Sequence, residues 1–368
     1  MSTAPLLRPV AEPQILENAF TEDQHRRMFD VVRRHGPWSL ILAQHFKSPE
    51  EVVAATSGSL PDGVHPTWDM FLTPIFRGYF AQGHTSLYPE LDDCFYNPKF
   101  MDLVRRYWKA EYARPENMLF NLQGPSPGAG APHIDATRFR GVSFQTTPIW
   151  LMNVMAKSGL FKRWQAKKAQ VITWYYKGRI GGGFHYWPEG PKAPPWTIQA
   201  PMWGRAVVVE NESMYHTAEA TGPAALRRPK GLTFDSMISA DPASADGWRI
   251  TAGDQVVQRI PIEEMRFLVH WGADIFLDFQ DLKVTLDHTD DIGHEQVFDI
   301  FIADLRARGK AFQTPSDPIV DRAFIDLLTR VYDPGKPTLM PAEPVEEPVA
   351  AEQGAAETRR PLFEIEPR

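Results

Sequence analysis

Hydrophobic positions along the chain change period twice. In ENAFTEDQHRRMFDVVRRHG, residues 17–36, Met28, Val31 and Val32 recur at helical spacing. Thr21 is placed to cap that helix, Glu22 and Asp23 suit its first turn, and Gly36 ends it. NPKFMDLVRRYWKAEYA repeats the pattern through Phe100, Leu103, Val104 and Trp108. Residues 37–96, rich in proline, glycine and aromatics, show no period and read as irregular. From about residue 117 the period shortens to two. NMLFNLQG alternates, with Leu119, Asn121 and Gln123 on one face and Phe120 and Leu122 on the other. AQVITWYYKG, WGRAVVVENE and KGLTFDSMIS are β-branched or aromatic runs bounded by turn residues. Trp174 and Tyr175 are adjacent on one of these strands, so one of them must face inward. Helical spacing is then read for IPIEEMRFLVHWG, HEQVFDIFIADLRARG and DPIVDRAFIDLLTRVYD, the last offering Ile319, Val320, Phe324, Leu327, Leu328 and Val331 for burial.

Leading helices, several short strands and a helical end predict an α+β fold: a jelly roll buttressed by N-terminal helices, with a small, mainly helical C-terminal lobe. The expected divisions are a flexible arm (1–13), a jelly-roll domain (14–255), a helical lobe (256–332) that covers the pocket or forms a homodimer contact, and a disordered tail (333–368). The tail is rich in Pro, Glu and Ala and ends in RRPLFEIE, which reads as plain tail or as a short docking segment. Against 46 acidic residues stand 39 basic ones, a net charge of −7 with no long basic block. That balance disfavours nucleic acid and anionic membranes as partners. A single cysteine, Cys94, excludes an intramolecular disulfide and a cysteine-based zinc site. With no signal-like start and no apolar run of about 18 residues, the expectation is a cytoplasmic protein with no membrane partner.

Candidate chemistry sits in GAPHIDATRFRG, residues 130–141. Positions i and i+2 of a strand share a side, so His133 and Asp135 can aim an imidazole and a carboxylate at one point. A third ligand must come from a distant strand. AVVVENESMYHTAEATG supplies His216, 83 positions after His133. Two histidines and one carboxylate occupy one face of an octahedron and leave three positions open, the ligand set of non-haem Fe(II) sites that handle oxygen. Arg227 follows His216 by eleven positions, just before KGLTFDSMIS, and its planar fork suits a carboxylate.

This order, with His133-x-Asp135, intervening strands, His216 and then Arg227, resembles the Fe(II)/2-oxoglutarate-dependent oxygenases, most closely the phytanoyl-CoA hydroxylase-like group. The resemblance spans roughly residues 14–240 and rests on the two motif blocks and their spacing. It implies a double-stranded β-helix, a jelly-roll variant, in which His133, Asp135 and His216 bind Fe(II) and Arg227 binds the 5-carboxylate of 2-oxoglutarate. The implied reaction consumes O₂, releases succinate and CO₂, and oxidises a C–H bond of a small-molecule substrate. Related halogenases have a small residue where Asp135 stands, so its carboxylate argues against halogenation.

Each assignment has a rival. His185, 52 positions after His133, competes with His216, but no strand and arginine follow it at the right distance. Arg228 competes with Arg227, because neighbours on a strand face opposite ways. Asn121 and Gln123 either reach the cosubstrate or face solvent. Arg138 and Arg140 read as structural salt-bridge residues before substrate ligands. GGGFHYWPEGPKAPPW reads as a hinged loop whose His185, Tyr186 and Trp187 contact substrate or pack on a strand edge. Asp287, His288, Asp290, Asp291 and His294 read as a polar turn before a helix rather than a metal cluster. Two other functions stay open: a cupin-type metalloenzyme that does not use 2-oxoglutarate, and a non-catalytic jelly-roll binding protein.

Overall fold

The computed structural model describes residues 7–55, 63–128, 130–342 and 344. Its strands, in chain order, are β1 (Gln14–Leu16), β2 (Trp38–Ser39), β3 (Ile75–Gln82), β4 (Thr85–Ser86), β5 (Tyr112–Gln123), β6 (Lys167–Tyr176), β7 (Phe184–Trp187), β8 (Trp196–Ile198), β9 (Met202–Val209), β10 (Tyr215–Ala218), β11 (Met237–Ala240), β12 (Trp248–Ala252), β13 (Gln255–Ile260) and β14 (Arg266–Phe276). Seven of them form a large antiparallel sheet in the order β1-β9-β6-β14-β5-β3-β4. A small antiparallel sheet, β10-β7-β8, faces it, and β13-β12-β11-β2 make a third.

Alternation along β6 shows how the layers are built. Ala169, Val171 and Tyr175 enter one apolar core with the capped helix Glu22–His35 and the helix Pro98–Trp108. Ile172 and Trp174 point the other way, into a second core shared with Phe184, Tyr186 and Ile198 of the small sheet. The outer face of the small sheet, through Trp187 and Tyr215, is covered by a third core. That core contains the helices Ile149–Ser158, His294–Ala307 and Arg322–Val331. The molecule is therefore a two-sheet jelly roll with helices outside both sheets. The C-terminal helices back the small sheet, and no helix among the described residues is long and apolar enough to cross a membrane.

Several expectations change. IPIEEMRFLVHWG does not form a helix: Arg266–Phe276 is a central strand paired with β5 on one side and β6 on the other. Both faces of this strand are covered, so the apolar/polar alternation that marks a half-exposed strand is missing. Residues 75–82, inside the stretch read as irregular, are β3 of the large sheet. The helix Ile149–Ser158 lies where only strands were expected, and most of its residues are buried. At the N-terminal end, residues 7–13 are held in place. Leu7 is buried against the outer helices, Val10 N–H donates to Glu210 Oε2 at 2.7 Å, and the Ala11 carbonyl accepts from Tyr107. RRPLFEIE lies outside the described residues.

Candidate metal centre

The motif residues are positioned by two mutual backbone hydrogen bonds. His133 N–H donates to the His216 carbonyl at 3.0 Å, and His216 N–H donates back to that of His133 at 2.9 Å. The chain before the motif runs close to the end of β10, which is why Gly128 is there. It has φ +87°, and a Cβ at that position would stand 2.6 Å from the Ala218 carbonyl oxygen. Ile134 turns outward into the third core, while His133 and Asp135 turn inward. Asp135 N–H donates to the Asn211 carbonyl, and Asn211 N–H is fixed by Gln170 Oε1, tying the loop to the large sheet.

One potential ligand atom from each of His133, Asp135 and His216 lies within 4.8 Å of those from the other two. Each imidazole has its Nδ1 3.1 Å from a backbone carbonyl, Ala131 for His133 and Met214 for His216. A carbonyl only accepts, so Nδ1 of each ring carries a proton and Nε2 is the nitrogen turned toward the site. Nε2 of His216 lies 3.5 Å from Asp135 Oδ1. Burial, then the nearby His216, holds the His133 imidazole down at about 4, neutral at physiological pH. Burial alone would push the Asp135 carboxyl up, but His216, His270 and His133 pull it well below the usual carboxylate range. Burial would likewise lower His216, and the charge and hydrogen bond of Asp135 more than offset this and raise it. Two Nε2 atoms and one carboxylate converging in a partly buried space fit a divalent transition metal, which would displace the proton that Asp135 favours on His216.

Around this group the large sheet presents its inward face in rows. The row of Leu119, His270 and Ile172 lies in register, and so does the row of Arg77, Asn121, Leu268 and Trp174. Next comes Gln123 opposite Arg266. His270 is within the field of Asp135; its pKa is lowered to about 4 by burial, and its Nδ1 has no hydrogen-bond partner among the described residues. Phe184 packs 5.7 Å from the His216 ring and 5.1 Å from Trp174, and the Arg266 guanidinium lies 5.9 Å over Trp174. A continuous inner surface thus runs from His216 to Arg266.

Arg266 donates from Nε to the Gly182 carbonyl at 2.8 Å and from Nη1 to Gln123 Oε1 at 3.3 Å, while Nη2 is buried with no partner among the described residues. Burial lowers its pKa to about 10, so it remains a cation at neutral pH. Arg227 is placed differently. It follows the short 3-10 turn Ala224–Leu226, donates from Nε to the Gly222 carbonyl, and also has a buried Nη2 without a partner among the described residues. The strand expected just after it begins only at Met237 and belongs to the third sheet. The next strand of the large sheet after His216 is β14, which begins at Arg266. Helical spacing in IPIEEMRFLVHWG masks Arg266 in the sequence; the signal for it is a short β-branched and aromatic run opening on an arginine.

Of the other candidates, Gln123 points inward and is bonded to Arg266, Ser126 and Thr221. Asn121 accepts from Arg77 Nε at 2.9 Å. His185 alternates away from Phe184 and Tyr186, bonding Thr197 and facing Glu219. Trp174 faces inward and Tyr175 outward, where it stacks on His25. Tyr186 faces the interior and Trp187 the outer helices. Arg138 is paired with Asp274 and Glu116, and Arg140 with Asp290. His288 bonds Asp291, and His294 bonds Thr147, so that segment serves a turn and a helix start.

No family model matches the chain, and no curated protein matches it. Solved structures do. An oxidoreductase of the 2OG-Fe(II) oxygenase family from Burkholderia pseudomallei is 12% identical, over 71% of this chain and 85% of that one, with a TM-score of 0.35. A viral collagen prolyl hydroxylase of Paramecium Bursaria Chlorella virus-1, in a 2OG complex, is 8% identical over 72% and 96%, with a TM-score of 0.36. HygX from Streptomyces hygroscopicus, with nickel and 2-oxoglutarate bound, is 7% identical over 72% and 84%, with a TM-score of 0.35. These likenesses are distant.

Proposed function

We propose that the protein is an Fe(II)- and 2-oxoglutarate-dependent oxygenase that hydroxylates or otherwise oxidises an unactivated C–H bond of a small or medium organic substrate, releasing succinate and CO₂. The observation that carries this is the pair of Nδ1-tethered imidazoles meeting one carboxylate inside a jelly roll whose inner surface leads to a buried arginine. His133, Asp135 and His216 would hold Fe(II), which supplies the open coordination positions and the redox chemistry that protein side chains lack.

Arg266 is the better-placed anchor for the distal carboxylate of 2-oxoglutarate, with Arg227 the alternative. Arg266 and His270 stand four residues apart on one strand, about 13 Å at strand rise. The guanidinium over Trp174 shortens that gap toward the length of a five-carbon diacid. Its unpartnered Nη2 gives a carboxylate a charge-assisted donor, and Gln123 holds the fork in place. Phe184, Trp174 and Leu268 supply an apolar wall that excludes water from the space between.

The test is binding first and turnover second. Purified protein is titrated with Fe(II) without oxygen and then with 2-oxoglutarate, and succinate is measured after oxygen is admitted, for wild type and His133→Ala. Wild type should bind both and form succinate slowly without substrate; the variant should lose metal binding. Wild-type protein that binds neither metal nor 2-oxoglutarate refutes the reading. Metal binding without 2-oxoglutarate binding would favour the cupin-type alternative.

A further inference from the structure

The inward face of the large sheet carries a second guanidinium, half-buried, that the metal and cosubstrate reading does not use. Arg77 stands on β3, opposite Asn121 and in the same row as Leu268. Its Nε donates to Asn121 Oδ1 at 2.9 Å, and its Nη1 lies 2.8 Å from His45 Nε2. No carboxylate stands within 4 Å of it among the described residues. Lys168 and Arg114 of the sheet are paired, with Glu116 at 2.8 Å and with Asp274 at 3.2 Å, and Arg138 of the loop after the motif is paired with Asp274. Asp135 is close enough for its field to act on both Arg77 and His45.

The hydrogen-bond roles are fixed by chemistry. A guanidinium only donates, so His45 Nε2 accepts and its remaining proton sits on Nδ1. Asn121 spends its carbonyl oxygen on Arg77 and is left with its amide donors. The group therefore offers donors and a positive charge and has no acceptor left over. A half-buried cation with neutral partners on Nε and Nη1 is a ready site for an anion that can reach it.

Charge balance points to the source of that anion. A divalent metal would be balanced by Asp135 and the metal-bound carboxylate of 2-oxoglutarate, and Arg266 by the distal carboxylate. Arg77 is then a positive charge with no carboxylate of its own among the described residues. We propose that Arg77, with Asn121 and His45, forms a substrate-anchoring site for a carboxylate, so that the substrate of this enzyme is a small organic acid held beside the metal. This rests on the function proposed above.

The test uses protein saturated with Zn(II), which is redox-inert, and with 2-oxoglutarate. Acetate is titrated as the probe, with acetamide as the neutral control of the same shape, by calorimetry and by thermal shift. Wild type should bind acetate saturably and not acetamide. Arg77→Gln should lose at least tenfold in acetate affinity while Zn(II) and 2-oxoglutarate affinities stay within about twofold, and Arg77→Lys should recover part of the loss. Circular dichroism and melting of each variant establish that it is folded. No saturable response to acetate in loaded wild type, an equal response to acetamide, or unchanged acetate binding in Arg77→Gln would each overturn the proposal. If Arg77→Gln instead loses 2-oxoglutarate, the arginine belongs to the cosubstrate: the substrate site falls and the proposed function stands. If wild type binds neither Zn(II) nor 2-oxoglutarate, the proposed function fails and this site falls with it.

Discussion

Replacing Arg266 by methionine separates the cosubstrate reading from its rivals most directly. The side chain keeps much of its length and loses the charge. In the loaded protein, Arg266 would give the distal carboxylate of 2-oxoglutarate charge-assisted hydrogen bonds in a water-excluded space, each worth about 1.5–3 kcal/mol. Part of the loss is offset because the variant no longer buries a cation that burial already disfavours, with its pKa lowered to about 10. A net loss of about 3–4 kcal/mol corresponds to two to three decades in 2-oxoglutarate affinity. Calorimetric titration of Zn(II)-loaded protein reads this directly, with Zn(II) affinity as the internal control. The ligand-free variant should melt close to wild type, because relief of the buried charge opposes the loss of bonds to the Gly182 carbonyl and Gln123 Oε1. Arg266→Lys should fall between the two, since it keeps the charge and loses the fork. Arg227→Gln, made in parallel, should change 2-oxoglutarate affinity less than about threefold, well under one decade. Binding of 2-oxoglutarate by Arg266→Met within threefold of wild type would refute the reasoning, as would a larger loss in Arg227→Gln.

Further outcomes follow from the same geometry. Glu210 is buried, its pKa raised to about 7 by burial against the bonds from Ser213 and Val10, so the stability it contributes is full below about pH 4.5 and is lost as pH rises through 7. Glu210→Gln should therefore gain about 2–3 kcal/mol relative to wild type between pH 5 and pH 8, read by denaturant melts at both; a pH-independent difference would show that the carboxyl does not titrate there. Arg138→Leu removes a partner of Asp274 and Glu116 and should cost about 2–4 kcal/mol of stability while leaving metal affinity unchanged, and a selective loss of metal would move Arg138 into the site. Gly78→Ala would set a Cβ 2.3 Å from Phe120 and 2.5 Å from Trp38, so it should lower stability by about 1–3 kcal/mol, and an unchanged melting temperature would mean that these rings can shift.

What was readable in the sequence follows from how each segment is buried. The helix Glu22–His35 has one wet face, so Met28, Val31 and Val32 stood out against charge, and Thr21 with Gln24 closes the cap. The two motif blocks were legible because an i, i+2 pair on extended chain needs only local geometry, and a single distant histidine was enough to meet it. The segments that were misread share one property. β14 and the helix Ile149–Ser158 are covered on nearly all sides, and a fully covered segment has no solvent to impose a period on its polar positions. β3 was obscured instead by the proline- and glycine-rich stretches around it. Two of these segments, β14 and β3, carry His270, Arg266 and Arg77. This is no coincidence of bookkeeping: a group that must act away from water has to be mounted on an element that water does not reach. Burial therefore hides Arg266 and His270 from periodicity, and burial also leaves the Arg266 charge waiting for a partner. A cation inside an otherwise apolar run, as in RFLVHWG and IFRGYF, was the usable signal. Such a run is costly to bury unless an anion meets it, so its arginine should be read as a ligand site before its neighbours are read as a helix.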